Sequence, residues 1–189
     1  MMNQDNHNVE DLIQIFNKTF FKEYNIKLDF GGDYPIYLPQ FLEENGKLSE
    51  RDYNVILFAK GYYSSALHEV SHWLIAGKER HKLEDFGYWY EPDGRSEQQQ
   101  REFEKFEVKP QAIEWILSTA ANFRYFASAD NLTGNAGDNR LFKQAVYQQV
   151  KDYAENGLPI RTEQLRHALS KFYHTVDYID LTQFDIKKI

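Results

Sequence analysis

Val9, Leu12, Ile13, Phe16 and Phe20 recur at helical spacing in VEDLIQIFNKTFFKEY, so residues 8–24 are expected to form an amphipathic helix. IKLDF and YPIYLP read as extended and are parted by the turn signal Gly31-Gly32-Asp33. FLEENGKLSER has no apolar period and reads as a polar connection. YNVILFA, residues 53–59, is a short β-branched and aromatic run, the pattern of a buried strand. Gly61 then turns the chain into a helix over about residues 62–76, ended by Gly77 and the basic KERHK.

LEDFGYWYEPDGRS is broken by Gly, Pro and Asp-Gly and reads as a structured loop. From Ser96 to about Phe126 the period is helical again, with Pro110 demanding a kink or a fresh start near residue 108. ASADNLTGNAGDNR is a loop. Two further helices are expected at 138–156 and 162–174, split by NGLPIRT. There Gly157 and Pro159 stop the first and Thr162 caps the second. The fold class is therefore α+β: one mostly α-helical domain over residues 1–189 with a small β-sheet, its first eight residues a flexible tail.

Composition narrows the chemistry. There is no cysteine, so disulfides, iron–sulfur clusters and thiolate metal sites are excluded, and any metal must be held by His and carboxylate. A formal charge of −7 argues against binding along a phosphate backbone, so no direct nucleic-acid partner is expected. No apolar run is long enough to span a bilayer, and the polar start MMNQDNHNVEDL lacks the pattern of a secretory signal. The expected compartment is the cytoplasm.

The chemistry concentrates in SALHEVSHWLIAG, residues 65–77, where His68, Glu69 and His72 take the spacing H-E-x-x-H. On a helix, positions four apart lie about 40° from one another, so the two imidazoles project side by side. Tyr63, Ala66, Leu67, Val70, Trp73, Leu74 and Gly77 fall on the far side, as a core stripe. Ser64, Ser65, Ile75 and Ala76 flank the histidines, with Glu69 next to them. An ordinary solvated face would carry long cations, and none stands between Gly61 and Lys78.

A working metal site commonly needs a third protein ligand. No H-x-x-G-x-x-H continuation follows, and the other histidines fit poorly. His7 lies in the tail, His81 in a basic cluster and His167 on a surface-like helix, while His174 suits an outer role. In EFEKFEVKPQAIEW, Glu104, Glu107, Gln111, Glu114 and Ser118 form a polar stripe opposite Phe103, Phe106, Ile113 and Leu117. By itself such a stripe is a solvent face. Beside the histidines, it offers the carboxylate of a two-His, one-carboxylate set, and spacing does not choose among Glu104, Glu107 and Glu114.

Two chemistries use that set. Zinc would polarise a carbonyl and activate water, with Glu69 as general base of a zincin-type metallopeptidase. Fe(II) would leave positions open for dioxygen and substrate. A non-catalytic module that docks on a partner protein around a structural metal is a third class.

FAKGYYSSALHEVSHWLIAGKER, DFGYWYEPDGR, FEVKPQAIEW and DNLTG, in that order from about Tyr34 to about His174, resemble the bacterial elongation factor P hydroxylase family. The resemblance implies a cytoplasmic monooxygenase, with a divalent metal of the Fe(II) type and dioxygen as co-substrate. Its partner would be elongation factor P, whose β-lysylated lysine it hydroxylates. It also implies His68, His72 and Glu107 as the metal ligands, on a zincin-like helix rather than the β-barrel of common Fe(II) oxygenases. Glu69 then orients a water or contacts the cationic substrate. Asp85, Tyr88 and Tyr90 of the DFGYWYEPDGR loop are candidates to meet its ammonium groups by charge and cation–π contact. No basic residue is marked out to hold 2-oxoglutarate.

Overall fold

The computed structural model describes residues 7–44, 47–84, 96–128 and 139–189, without the side chains of residues 42–49 and 97. It is mostly helical with a small mixed sheet, in two compact units, one within Asn3–Gly87 and the other within Tyr88–Ile189.

In the first unit, α1 (Val9–Tyr24) is capped by the Asn8 side chain, which accepts from Glu10 N–H at 3.0 Å, and it buries Leu12, Ile15, Phe16 and Phe20. Strand β1 (Ile26–Phe30) runs parallel to β5 (Asn54–Phe58), and β2 (Ile36–Leu38) lies antiparallel on the other side of β5. Asn17 ties α1 to β1: its amide donates to the Leu28 carbonyl at 3.2 Å and accepts from Leu28 N–H at 2.8 Å. The segment expected to be a polar connection instead forms a hairpin, β3 (Phe41–Glu44) with β4 (Lys47–Glu50), paired antiparallel. Ladder hydrogen bonds between the two strands build such a ribbon without an apolar period, which is why the pattern missed it.

Helix α2 (Tyr63–Ile75) follows a turn in which Lys60 and Gly61 take φ of 56° and 70°. It ends through Ala76 in extended conformation, so Gly77 is not the cap that was expected. Its buried stripe is Tyr63, Ala66, Leu67, Val70, Trp73 and Leu74, as the wheel required, while Gly77 is exposed. Trp73 meets Phe16 at 5.5 Å and Phe20 at 5.1 Å between ring centroids, both edge-on. Phe16 is wholly buried, so Phe16→Ala should lower stability by about 3–5 kcal/mol, measured by denaturant unfolding. A loss below about 1 kcal/mol would show that this aromatic cluster does not hold α1 and α2 together.

In the second unit, α3 (Glu97–Ala120) begins with a capping box between Ser96 and Gln99. It runs through Pro110, so no fresh start occurs near residue 108; one ladder bond is lost and the helix continues. It also ends earlier than expected. Asn122 takes a left-handed φ of 53°, Asn122 N–H donates to Thr119 O at 3.0 Å and Phe123 N–H to Ser118 O at 2.8 Å, a Schellman turn that reverses the chain.

Helices α4 (Arg140–Asn156) and α5 (Ile160–Tyr173) follow. Gly157, at φ 88°, closes α4. Thr162 does not cap α5: Pro159 stands at the cap position and Thr162 is buried in the first turn. Trp115, Ile116, Tyr125, Phe142, Val146, Val150 and Phe184 form this unit's core.

Candidate metal centre

His68, Glu69 and His72 lie on the half-buried side of α2, opposite its core stripe. The two imidazole rings stand 4.7 Å apart between centroids at 74° to one another, and their Nε2 atoms are 3.1 Å apart. Two nitrogens bonded to one ion at roughly 2.0–2.1 Å and at right to tetrahedral angles stand about 2.8–3.4 Å apart, so this pair fits a shared metal. Ser71, between them in sequence, turns inward and donates to Leu67 O at 2.7 Å.

The other histidines occupy structural places. His81 stacks on Trp73 at 5.4 Å and 14°. His7 meets Tyr63 edge-on at 5.2 Å. His167 pairs with Asp177, Nδ1 to Oδ2 at 2.6 Å, on the surface. His174 closes α5 with a left-handed φ of 56° and is exposed.

The polar stripe of α3 is not a solvent face. Glu107 is 2% exposed, Gln111 and Ser118 1%, and Glu114 8%. Burial of two carboxylates on one helix face is costly unless charge or hydrogen bonding compensates it, which marks the stripe as functional or tightly organised. Gln111 is bonded at both ends of its amide. Its Oε1 accepts from Tyr125 O–H at 2.7 Å and from Ser128 N–H at 3.2 Å, and its Nε2 donates to the Ser128 carbonyl. Burial, and after it the charges of Glu114 and Glu107, hold the Tyr125 phenol well above its usual value, so it stays a donor.

Among the described residues, His68, His72 and Glu107 form a group whose donor atoms could hold a metal ion. Of the three glutamates that spacing left open, Glu107 is the one in that group. Glu104 is bonded instead by Gln100, Nε2 to Oε1 at 3.2 Å. The set of two neutral nitrogens and one carboxylate oxygen suits a first-row divalent ion. Asp85, Tyr88 and Tyr90 lie outside the described residues. Sequence reading named Gln111 only as a member of the stripe and passed over Tyr125. A glutamine one turn from a candidate ligand was the available signal.

The chain is similar to known proteins along almost its whole length. The description of the elongation factor P hydroxylase family matches residues 15–184. An elongation factor P lysine hydroxylase of Haemophilus influenzae is 66% identical over 180 residues, which cover 95% of this chain and 97% of that protein. No described helix is long and apolar enough to cross a membrane.

Proposed function

Because the chain belongs to the elongation factor P hydroxylase family, we infer that it places a hydroxyl group on a lysine of elongation factor P. The observation that carries this is the 66% identity over nearly the full length of both chains. It is an oxygen-incorporating oxidoreductase, and it works in the cytoplasm, where its substrate does.

His68, His72 and Glu107 hold the metal in this reading. The pair of imidazoles offers neutral nitrogens from one helix face, and Glu107 supplies the negative charge that a divalent ion favours. A metal bound there would supply activation of dioxygen, which asks for a redox-active ion such as Fe(II); zinc has no redox chemistry. Glu69, on the same half-buried side of α2, orients water or meets the substrate's charge rather than acting as an obligatory base. Glu69→Gln should therefore leave measurable hydroxylation. The loss should be smaller than the roughly 100- to 10,000-fold that removal of a general base costs, as it would in a zinc peptidase.

The target is the lysine after β-lysine has been attached. That substrate presents two amines, and Asp85, Tyr88 and Tyr90 recognise them by charge and cation–π contact. The double variant Asp85→Asn/Tyr88→Phe should raise KM for the lysylated factor and leave metal content unchanged. Unaltered affinity and rate would remove these residues from substrate recognition.

The test of the function is the product. The purified chain, Fe(II), a reductant and oxygen are incubated with elongation factor P, with and without β-lysine, and the target lysine peptide is weighed. The reading expects a gain of one oxygen atom on the lysylated peptide. Peptide cleavage, or no change in mass with metal bound, would overturn it.

A further inference from the structure

Gln111 lies one turn beyond Glu107 on α3, on the same buried face. The chain that leaves α3 comes back along it. Phe123 N–H is bonded to Ser118 O, Tyr125 O–H reaches Gln111, and the main chain of Ser128 is held by Gln111 through both its N–H and its carbonyl. From Phe123 to Ser128 the segment thus travels from the C-terminal end of α3 toward the turn that carries Glu107. The Gln111 amide stands in for a strand neighbour, closing the donor and acceptor that an irregular segment would otherwise leave open.

Tyr125 is locked as firmly. Its ring stacks on Trp115 at 5.4 Å and 18°, and it is 4% exposed. Trp115 is held edge-on by Phe184 at 5.1 Å. The charges of Glu107 and Glu114 both bear on the phenol, which puts it in the electrostatic neighbourhood of the ligand carboxylate. A buried carboxylate keeps one rotamer only if the groups around it are fixed, and outer partners of metal ligands act in that way.

We propose that Gln111 and Tyr125 are positioning residues for the metal carboxylate: they clamp the returning segment Phe123–Ser128 over the α3 face beside Glu107 and hold that side chain ready for the ion. The inference rests on the reading of Glu107 as a ligand. It acts through metal affinity, so it can be read without turnover.

The test is Co(II) binding to the purified chain, by equilibrium dialysis and by the visible spectrum of the bound ion. It compares the parent, Tyr125→Phe, Gln111→Met, Glu107→Gln and Val146→Ala, each checked for cooperative thermal unfolding. Val146 is wholly buried in the same apolar core as Tyr125 and Trp115 but has no polar atom in its side chain, and it reports what loosened packing alone does. Tyr125→Phe and Gln111→Met are expected to weaken Co(II) about 10- to 100-fold and to shift its spectrum. Val146→Ala should bind as the parent does.

If Glu107→Gln loses the ion while both clamp variants bind it like the parent, the positioning role is overturned and the ligand reading stands. Equal weakening by Val146→Ala also overturns it. If Glu107→Gln binds Co(II) like the parent, the ligand reading fails and the inference falls with it. Should Gln111→Met not fold, Tyr125→Phe, which removes one hydroxyl from a ring still stacked on Trp115, decides the matter.

Discussion

Replacing His68 or His72 by alanine will take hydroxylation of elongation factor P to the assay background while leaving the fold in place. Both rings lie on the half-buried side of α2, and neither belongs to the stripe of Tyr63, Ala66, Leu67, Val70, Trp73 and Leu74 that packs the helix. Alanine is also the best helix former, so α2 itself is not weakened. What is lost is one of two nitrogens whose 3.1 Å separation matches a shared ion. The same experiment has a readout that needs no substrate. At a metal concentration a hundred times its dissociation constant, binding to the folded state adds about 2.7 kcal/mol to stability. The parent chain should gain that stabilisation in thermal unfolding with Co(II), and His68→Ala and His72→Ala should not. Metal-dependent stabilisation surviving in both variants would place the ion elsewhere.

Glu107→Gln will have the second-largest effect. The change keeps the side chain's shape and its place on α3 but removes the charge, and an amide oxygen is a weaker ligand for a divalent ion than a carboxylate. Metal affinity should fall by more than the roughly 10- to 100-fold typical of an outer partner, and hydroxylation should fall with it. The neighbouring Glu104→Gln is the control. Glu104 is partly exposed and takes a hydrogen bond from Gln100, so its loss should leave metal binding within about twofold, the scatter expected of a surface substitution. A Glu107→Gln chain that binds metal and turns over like the parent would leave the two histidines without their acid.

Much of this was readable in the residues, and the exceptions have physical causes. On α2 the pattern settled both faces, because a helix packed on one side leaves an unambiguous stripe. On α3 it failed in an instructive way. The series Glu104, Glu107, Gln111, Glu114, Ser118 has the composition of a solvent face, yet its last four members are buried. Periodicity reports which residues share a face, and composition is only a proxy for what covers it. At Gln111 the cover is the chain's own returning segment, made possible by Asn122 in a left-handed turn that no apolar period signals. The β3–β4 hairpin was hidden for a related reason, since ladder hydrogen bonds need no apolar alternation. Pro110 was over-read: one missing donor does not end a helix that is almost wholly buried from Pro110 to Ala120. The choice of Glu107 among three glutamates and of oxygen insertion over hydrolysis came from resemblance, since the same ligands serve either reaction.

The most direct trial of the account is where iron goes. Crystals of the chain loaded with Fe(II) under anaerobic conditions, with anomalous diffraction collected at the iron absorption edge, should show one strong peak bonded to Nε2 of His68, Nε2 of His72 and a carboxylate oxygen of Glu107. A peak held by other residues, or one that both imidazoles bind while Glu107 stays outside the coordination sphere, would contradict it.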